Sequence, residues 1–127
     1  MSWATIRTGM EALIDNISGL TVHPVMKDTL PEKNVAVILP GDPLLEHSGH
    51  GAAVLVNVRV VVRVLRATAE DCQDALDAYV WPSGANSIVA AVTDGAYQFI
   101  RVANYGPSEG EQGKWQADLQ FWTLVDA

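Results

Sequence analysis

The sequence contains little cysteine, little positive charge and no long apolar run, and each shortage excludes a class of protein. The single cysteine, Cys72, rules out an internal disulfide and a multi-cysteine metal site. Eight lysines and arginines against 15 acidic residues give a net charge of −7, which argues against a general nucleic-acid-binding protein. Asn57, Arg59 and Arg63 interrupt the longest apolar run, so neither a membrane span nor a membrane partner is expected.

What remains is the composition of an ordinary globular domain. Hydrophobic residues make up 49% and charged residues 18% of the 127 positions, enough for one domain, residues 1–127, with a sizeable core. The N-terminal stretch has no apolar signal core. Together with the single cysteine, this predicts a protein that is made in the cytosol.

The strongest structural signal is the segment 53–65, in which every even position from Val54 to Val64 is valine. Side chains of a strand alternate between its faces, so one face of this strand carries β-branched residues throughout. The other face is mixed and includes Arg59 and Arg63. We predict a long strand that is buried on its valine face and partly solvated on the other.

The other segments predict an α+β fold. Apolar spacings of three and four indicate helices over 3–18 and from Thr68 onward, with Ser2 and Thr68 as N-caps, and Ser87 to Val92 reads as a short third helix. Further strands are predicted at 20–23, 34–39, 97–104 and 114–125, the last two as a hairpin. We expect a mostly antiparallel sheet of four to five strands, with the N-terminal helix and the central helix pair on one face.

The segment 40–52, PGDPLLEHSGHGA, has two prolines, three glycines and no periodicity. It is predicted to be a long connection between strands, and long loops in compact domains are often functional or mobile.

No complete catalytic or metal site is recognisable. His47 and His50, beside Glu46, have the spacing of a weak metal motif, but an exposed polar loop accounts for them better. Cys72 lies on the apolar stripe of its helix and reads as a core residue. Neither an enzyme activity nor a cofactor is therefore expected.

Arg59 and Arg63 have two interpretations. They either keep the outer strand face soluble or meet an acidic surface of another copy, such as the helix that carries Asp74 and Asp77. For Trp122 too, a contact with a partner is one of two interpretations. It lies on the opposite strand face from Trp115, so both faces of this strand carry a tryptophan. Tryptophan is enriched at the centres of interfaces, so Trp122 is a candidate interface residue, unless helices cover both faces.

Several segments resemble the small tail terminator (tail completion) proteins of long-tailed bacteriophages, the siphophages with lambda-type terminators. The most specific segment is Leu76 to Val92, LDAYVWPSGANSIVAAV, which is similar to a segment of these proteins. The I-x-G-L segment Ile17 to Leu20, the strand Asn34 to Pro40 and the turn Val102 to Gly106, VANYG, also agree. The resemblance covers nearly the whole chain.

This resemblance implies a structural virion protein at the head–tail junction, assembled in the host cytoplasm. Such proteins form a ring, commonly a hexamer, which caps the tail tube, stops its polymerisation and attaches to the head connector protein. DNA passes through the ring without specific binding. The resemblance further implies that the two long loops, 40–52 and 105–113, project to the tube or the connector. The candidate residues are Asp42, Leu44, Leu45, Glu46, His47, Ser108, Glu109 and Glu111.

Two alternatives stay open at this point. One is a neighbouring neck protein of similar size, a head-completion, stopper or adaptor subunit. The other is a small metal-binding enzyme that uses His47, His50 and nearby acids.

Overall fold

The computed structural model describes residues 2–26, 32–47, 51, 53–93, 96–108 and 113–126. In chain order the elements are α1 (Trp3–Ile14), β1 (Thr21–His23), β2 (Asn34–His47), β3 (Ala53–Leu65), α2 (Ala69–Val80), α3 (Ile88–Thr93), β4 (Gln98–Pro107) and β5 (Lys114–Asp126). This order and the predicted β4–β5 hairpin agree with the sequence pattern.

The five strands form one sheet in the order β1-β2-β3-β5-β4. Only β1 and β2 pair in parallel, and the other three pairs are antiparallel. All three helices contribute side chains to one hydrophobic core on one face of the sheet. The predicted α+β class, with its mostly antiparallel sheet and one helix layer, is confirmed.

Strand β3 is the middle strand of the sheet and is buried on its valine face, as the sequence predicts. Its even-numbered valines from Val56 to Val64 are almost fully buried under the helices, whereas the odd-numbered residues between them are half-buried. Full burial of one such side chain stabilises the fold by about 1.5 kcal/mol or more. The valine stripe is therefore a principal source of the stability of the domain.

Both predicted N-caps are present. The Ser2 hydroxyl accepts from the Thr5 N–H, and the Thr68 hydroxyl accepts from the Asp71 N–H. Helix α1 is shorter than predicted, because it ends at Ile14 rather than at residue 18. Ile17 is nevertheless buried, since the turn that follows α1 keeps it on the core side.

The prediction of a long loop over 40–52 is wrong for residues 40–47, which belong to strand β2. The strand continues to His47, and its residues 45–47 pair with residues 54–56 of β3. Proline and glycine normally interrupt strands, but here they lie in a bulge between Pro40 and Leu45, where they break no regular ladder. Residues 48–50 and 52 of the predicted loop lie outside the described part of the chain.

The segment Leu76 to Val92, which carries the resemblance, forms the end of α2, a corner and α3. The buried Ser87 holds the corner, because its hydroxyl donates to the Trp81 carbonyl and accepts from the Ala90 N–H. Ser87 therefore acts as the N-cap of α3.

Strand β4 extends beyond its predicted end to Pro107 and contains two register shifts. The first shift, between Phe99 and Arg101, breaks the expected alternation of its side chains. As a result Phe99 and Val102, which strict alternation along a strand would place on opposite faces, line the same groove.

Candidate functional site

The face of the sheet away from the helices, here called the open face, carries most of the candidate residues. On β3 this face consists of the side chains between the buried valines, including Asn57, Arg59 and Arg63. Asp118 and Gln120 of β5 lie on the same face, because they pair with Val61 and Arg59. Since the three helices of the described residues pack on the other face, the open face is the natural place for polar contacts.

Arg59 and Asp118 form an ion pair at the centre of the open face. The Nε and Nη2 atoms of Arg59 both donate to Oδ2 of Asp118, at 2.9 and 2.7 Å. The Asp118 side chain is only 6% exposed, whereas that of Arg59 is 35% exposed. Such charge-assisted bonds are stronger than neutral ones, so the pair orients the guanidinium along the sheet.

The sequence interpretation missed this pair, because it assigned Asp118 no role. The signal was present, since both residues lie on the polar faces of strands that the sequence predicts. The pairing of β3 with β5 and its register, which place Asp118 diagonally beside Arg59, are long-range facts that the local pattern does not contain. Arg59 therefore has a partner within its own chain, and a contact with a neighbouring subunit stays a prediction.

A cavity of about 410 Å³ lies on the open face beside this pair. Its lining includes both charge signs and comes from four strands: Asp42 and Glu46 from β2, Asn57 and Arg59 from β3, Arg101 and Asn104 from β4, and Asp118 and Gln120 from β5. Arg101 donates to the Gln120 side chain at 2.7 Å. This cavity offers hydrogen-bond donors and acceptors, and its described lining contains carboxylates but no serine, threonine, cysteine, lysine or histidine.

The remaining open-face candidates lie at its two ends. Arg63 is half-buried and pairs with Val35 and Gln116. Trp122 is half-buried at the other end and pairs with Asn57 and Gln98. The structure therefore places Arg63 on the same face as Arg59, as the sequence predicts, and the β3–β5 register adds Trp122 to this face. Arg63 and Trp122 are not next to each other.

Helix α2 presents an acidic surface on the other side of the molecule. Asp74 and Asp77 are exposed, in line with the sequence pattern. The Tyr105 hydroxyl of β4 donates to Oδ1 of Asp77 at 2.7 Å and ties the helix to the edge of the sheet. Burial, this hydrogen bond and the charges of Asp77 and Asp74 raise the pKa of Tyr105 to about 12.

Replacing Tyr105 with phenylalanine is expected to reduce the loss of stability at alkaline pH. The raised pKa means that the folded chain favours the neutral phenol. Its contribution is complete below the unfolded value of 10.0 and is lost as pH rises through about 12. Urea unfolding at several pH values across this window measures the effect. Tyr79 and Tyr97, whose pKa values burial also raises, stay in both proteins as a common background. If the free energy of unfolding falls with pH in the same way for both proteins, the pKa of Tyr105 is not raised in the folded chain.

An apolar groove follows the edge strand β4 next to the end of α2. We call it the Trp81 groove; its apolar lining is Val80, Trp81, Pro82, Phe99, Val102 and Tyr105, and its volume is about 620 Å³. Trp81 is 64% exposed, although Tyr79 and Val80 before it are buried. Of the four tryptophans in the chain, the sequence pattern favoured Trp122 as the interface candidate and not Trp81.

The described residues among those predicted to project towards the tube or the connector lie on strand β2 and at the β4–β5 turn. Asp42, Leu45, Glu46 and His47 are exposed on β2, whereas Leu44 is half-buried against the core. Ser108 lies at the β4–β5 turn, where its N–H donates to the Lys114 carbonyl. Glu109 and Glu111 lie outside the described residues, so their prediction stays open.

The metal interpretation gains no support within the described part of the chain. His47 ends strand β2, and His50 lies outside the described residues. No group of three or more histidines, cysteines or acidic residues is close enough there to hold a metal ion. Cys72 is fully buried, as predicted.

The comparisons with known proteins add no relative. No protein-family model matches the sequence, and no curated protein matches it either. Among the described residues, no helix has the length and the apolar character needed to cross a membrane.

Proposed function

We propose that this chain is a ring-forming tail terminator of a long-tailed bacteriophage, a structural protein and not an enzyme. In this role it caps the tail tube, stops tube polymerisation and offers an attachment surface to the head connector protein. It acts in the virion, at the head–tail junction.

The exposure of Trp81 carries this proposal. Trp81 belongs to the segment that resembles tail terminators, and its neighbours Tyr79, Val80, Ser87 and Ile88 are all buried. An exposed tryptophan beside other apolar side chains is typical of a surface that a protein partner covers. The segment therefore combines a rigid corner with a contact surface, as an assembly protein requires.

The charge distribution also supports the proposal. A ring is built from heterologous contacts, so each subunit needs two different surfaces. Here the helix layer presents the acidic surface of α2, whereas the open face carries Arg59, Arg63 and Arg101 together with acidic residues such as Asp118, so the two surfaces differ. The net charge of −7 suits a protein whose ring DNA crosses without being held.

The proposal is tested with tail tubes assembled from the tube protein of the same phage. Tubes mixed with the purified chain are expected to stop growing and to show a ring at one end in negative stain. Tubes that continue to elongate in its presence would overturn the proposal. Binding to DNA-filled heads but not to tubes would indicate a neck protein instead.

A further inference from the structure

The exposed apolar side chains of the described residues concentrate at the two edges of the sheet. Val25 and Met26, which are 45% and 57% exposed, follow the edge strand β1. Trp81, Val102 and Tyr105 lie along the opposite edge strand, β4. Neither outer edge pairs with another strand in the described part of the chain. The two patches therefore lie on opposite sides of one subunit.

The patches also differ in shape. The patch at β4 is concave, since the Trp81 groove has a volume of about 620 Å³. The patch at β1 consists of two consecutive side chains that the fold leaves exposed, directly after the buried His23 and the half-buried Pro24. Two different patches, one concave and one not, fit a head-to-tail contact between copies better than a two-fold symmetric one.

The strand pairing places both patches at the same level of the sheet. One continuous row of paired residues crosses all five strands: His23, Val37, Val61, Asp118 and Ala103. Val25 comes two residues after His23, and Val102 comes one residue before Ala103. Because β1 and β4 run in opposite directions, both patches are displaced from this row towards the same end of the strands.

The charges agree with a contact between these two patches. Lys33 is exposed and directly precedes Asn34. Asn34 is connected by strand pairing, across β3 and β5, to Pro107 of β4. At that end of β4, Tyr105 holds the carboxylate of Asp77. Lys33, at the start of β2 and next to the edge strand β1, thus lies at the same end of the sheet as Asp77 beside the opposite edge strand.

We infer that the partner of the Trp81 groove is a second copy of this chain. Val25 and Met26 of one copy pack against Trp81 and Val102 of the next, and Lys33 approaches Asp77. Asp77 keeps the interface role predicted from the sequence, with Lys33 rather than Arg59 or Arg63 as its cation. This inference rests on the proposed function and specifies how the subunits of the ring meet.

The contact depends on side chains rather than on a continuous sheet. β1 has only three residues, and β4 contains two register shifts. Short and irregular edges do not offer the long row of free backbone groups that strand addition needs. The apolar groove is therefore the main source of affinity in this contact.

Cysteine cross-linking tests the contact directly. Met26→Cys and Val102→Cys are made as separate variants of the full chain, and the buried Cys72 serves as an unreactive internal control. A short bis-maleimide is expected to give a two-chain product when the two variants are mixed, and none with either variant alone. The double variant is expected to give a ladder of products. Thr8→Cys, an exposed position on α1, replaces Met26→Cys as the matched control and should give no product with Val102→Cys.

A second pair of variants tests the groove. Trp81→Ser is expected to lower the yield of the cross-linked product at least tenfold, whereas Leu124→Ser, at another exposed apolar position, should leave it unchanged. Circular dichroism confirms that both variants are folded. Cross-linking of either single variant with itself would indicate a two-fold contact and overturn the inference.

The outcome separates this inference from the proposed function. If the wild-type chain forms rings on tail tubes while the mixed variants do not cross-link, the contact is wrong and the proposed function stands. If the variants cross-link but the wild-type chain neither forms rings nor caps tubes, the contact stands and the proposed function fails.

Discussion

Replacing Arg59 with methionine is expected to lower the free energy of unfolding by about 3 kcal/mol. The variant keeps the aliphatic packing of the arginine stem but leaves the Asp118 carboxylate buried without its cation. Removing one partner of a buried ion pair costs about 3–5 kcal/mol. We expect the lower end of this range, because the Arg59 side chain is 35% exposed. Urea unfolding at constant protein concentration measures the change.

Two control variants make this prediction specific. Arg101→Met removes an exposed arginine that donates to Gln120, and it is expected to change stability by no more than about 0.5 kcal/mol. The double variant Arg59→Met with Asp118→Leu is expected to recover most of the lost stability, because no buried charge then remains unpaired. Equal losses for Arg59→Met and Arg101→Met would show that the pair has no special role.

Replacing Gly41 with alanine is expected to cost about 2 kcal/mol. A Cβ atom at Gly41 would lie 2.4 Å from the Asn57 Cβ and 2.9 Å from the Asn57 carbonyl carbon and oxygen. Because backbone atoms are among these neighbours, a change of side-chain rotamer cannot remove the clash. The bulge of β2 would have to shift, and the hydrogen bond from Asn57 to the Pro43 carbonyl, 2.9 Å long, would weaken.

Gly106→Ala is the matched control for Gly41→Ala. Gly106 also lies in a strand, but a Cβ atom there would meet nothing within 4 Å. We expect stability to change by no more than about 0.5 kcal/mol. Thermal unfolding of both variants, together with exposure of the β2 bulge measured by hydrogen exchange, gives the comparison. A stable Gly41→Ala variant with unchanged exchange would contradict the close approach of β2 to β3.

The features that depend on residues close together in the chain were predicted from the sequence. The valine at every second position of 53–65 predicted β3, both of its ends and its buried face. Ser2 and Thr68 predicted the starts of their helices, because capping is a contact between residues three apart in the chain. The apolar alternation of β5 likewise predicted its core face.

The parts that were missed depend on contacts between distant segments. Gly41 and its prolines read as a loop, because the approach of β2 to Asn57 has no local signature. The Arg59–Asp118 pair joins residues 59 positions apart in the chain and depends on the strand register. The register shift in β4 moved Val102 to the face of Phe99 and so created part of the Trp81 groove, which no period could predict.

The central claim, that this chain forms a ring through heterologous contacts, is tested most directly by its solution mass and shape. Light scattering combined with negative-stain imaging of the purified wild-type chain, alone and with tail tubes, gives both quantities. The account predicts a closed ring with a central opening, with a mass of about 82 kDa if it is a hexamer of the 13.7 kDa chain. A chain that stays monomeric in solution at high concentration and forms no ring on the tubes would contradict it.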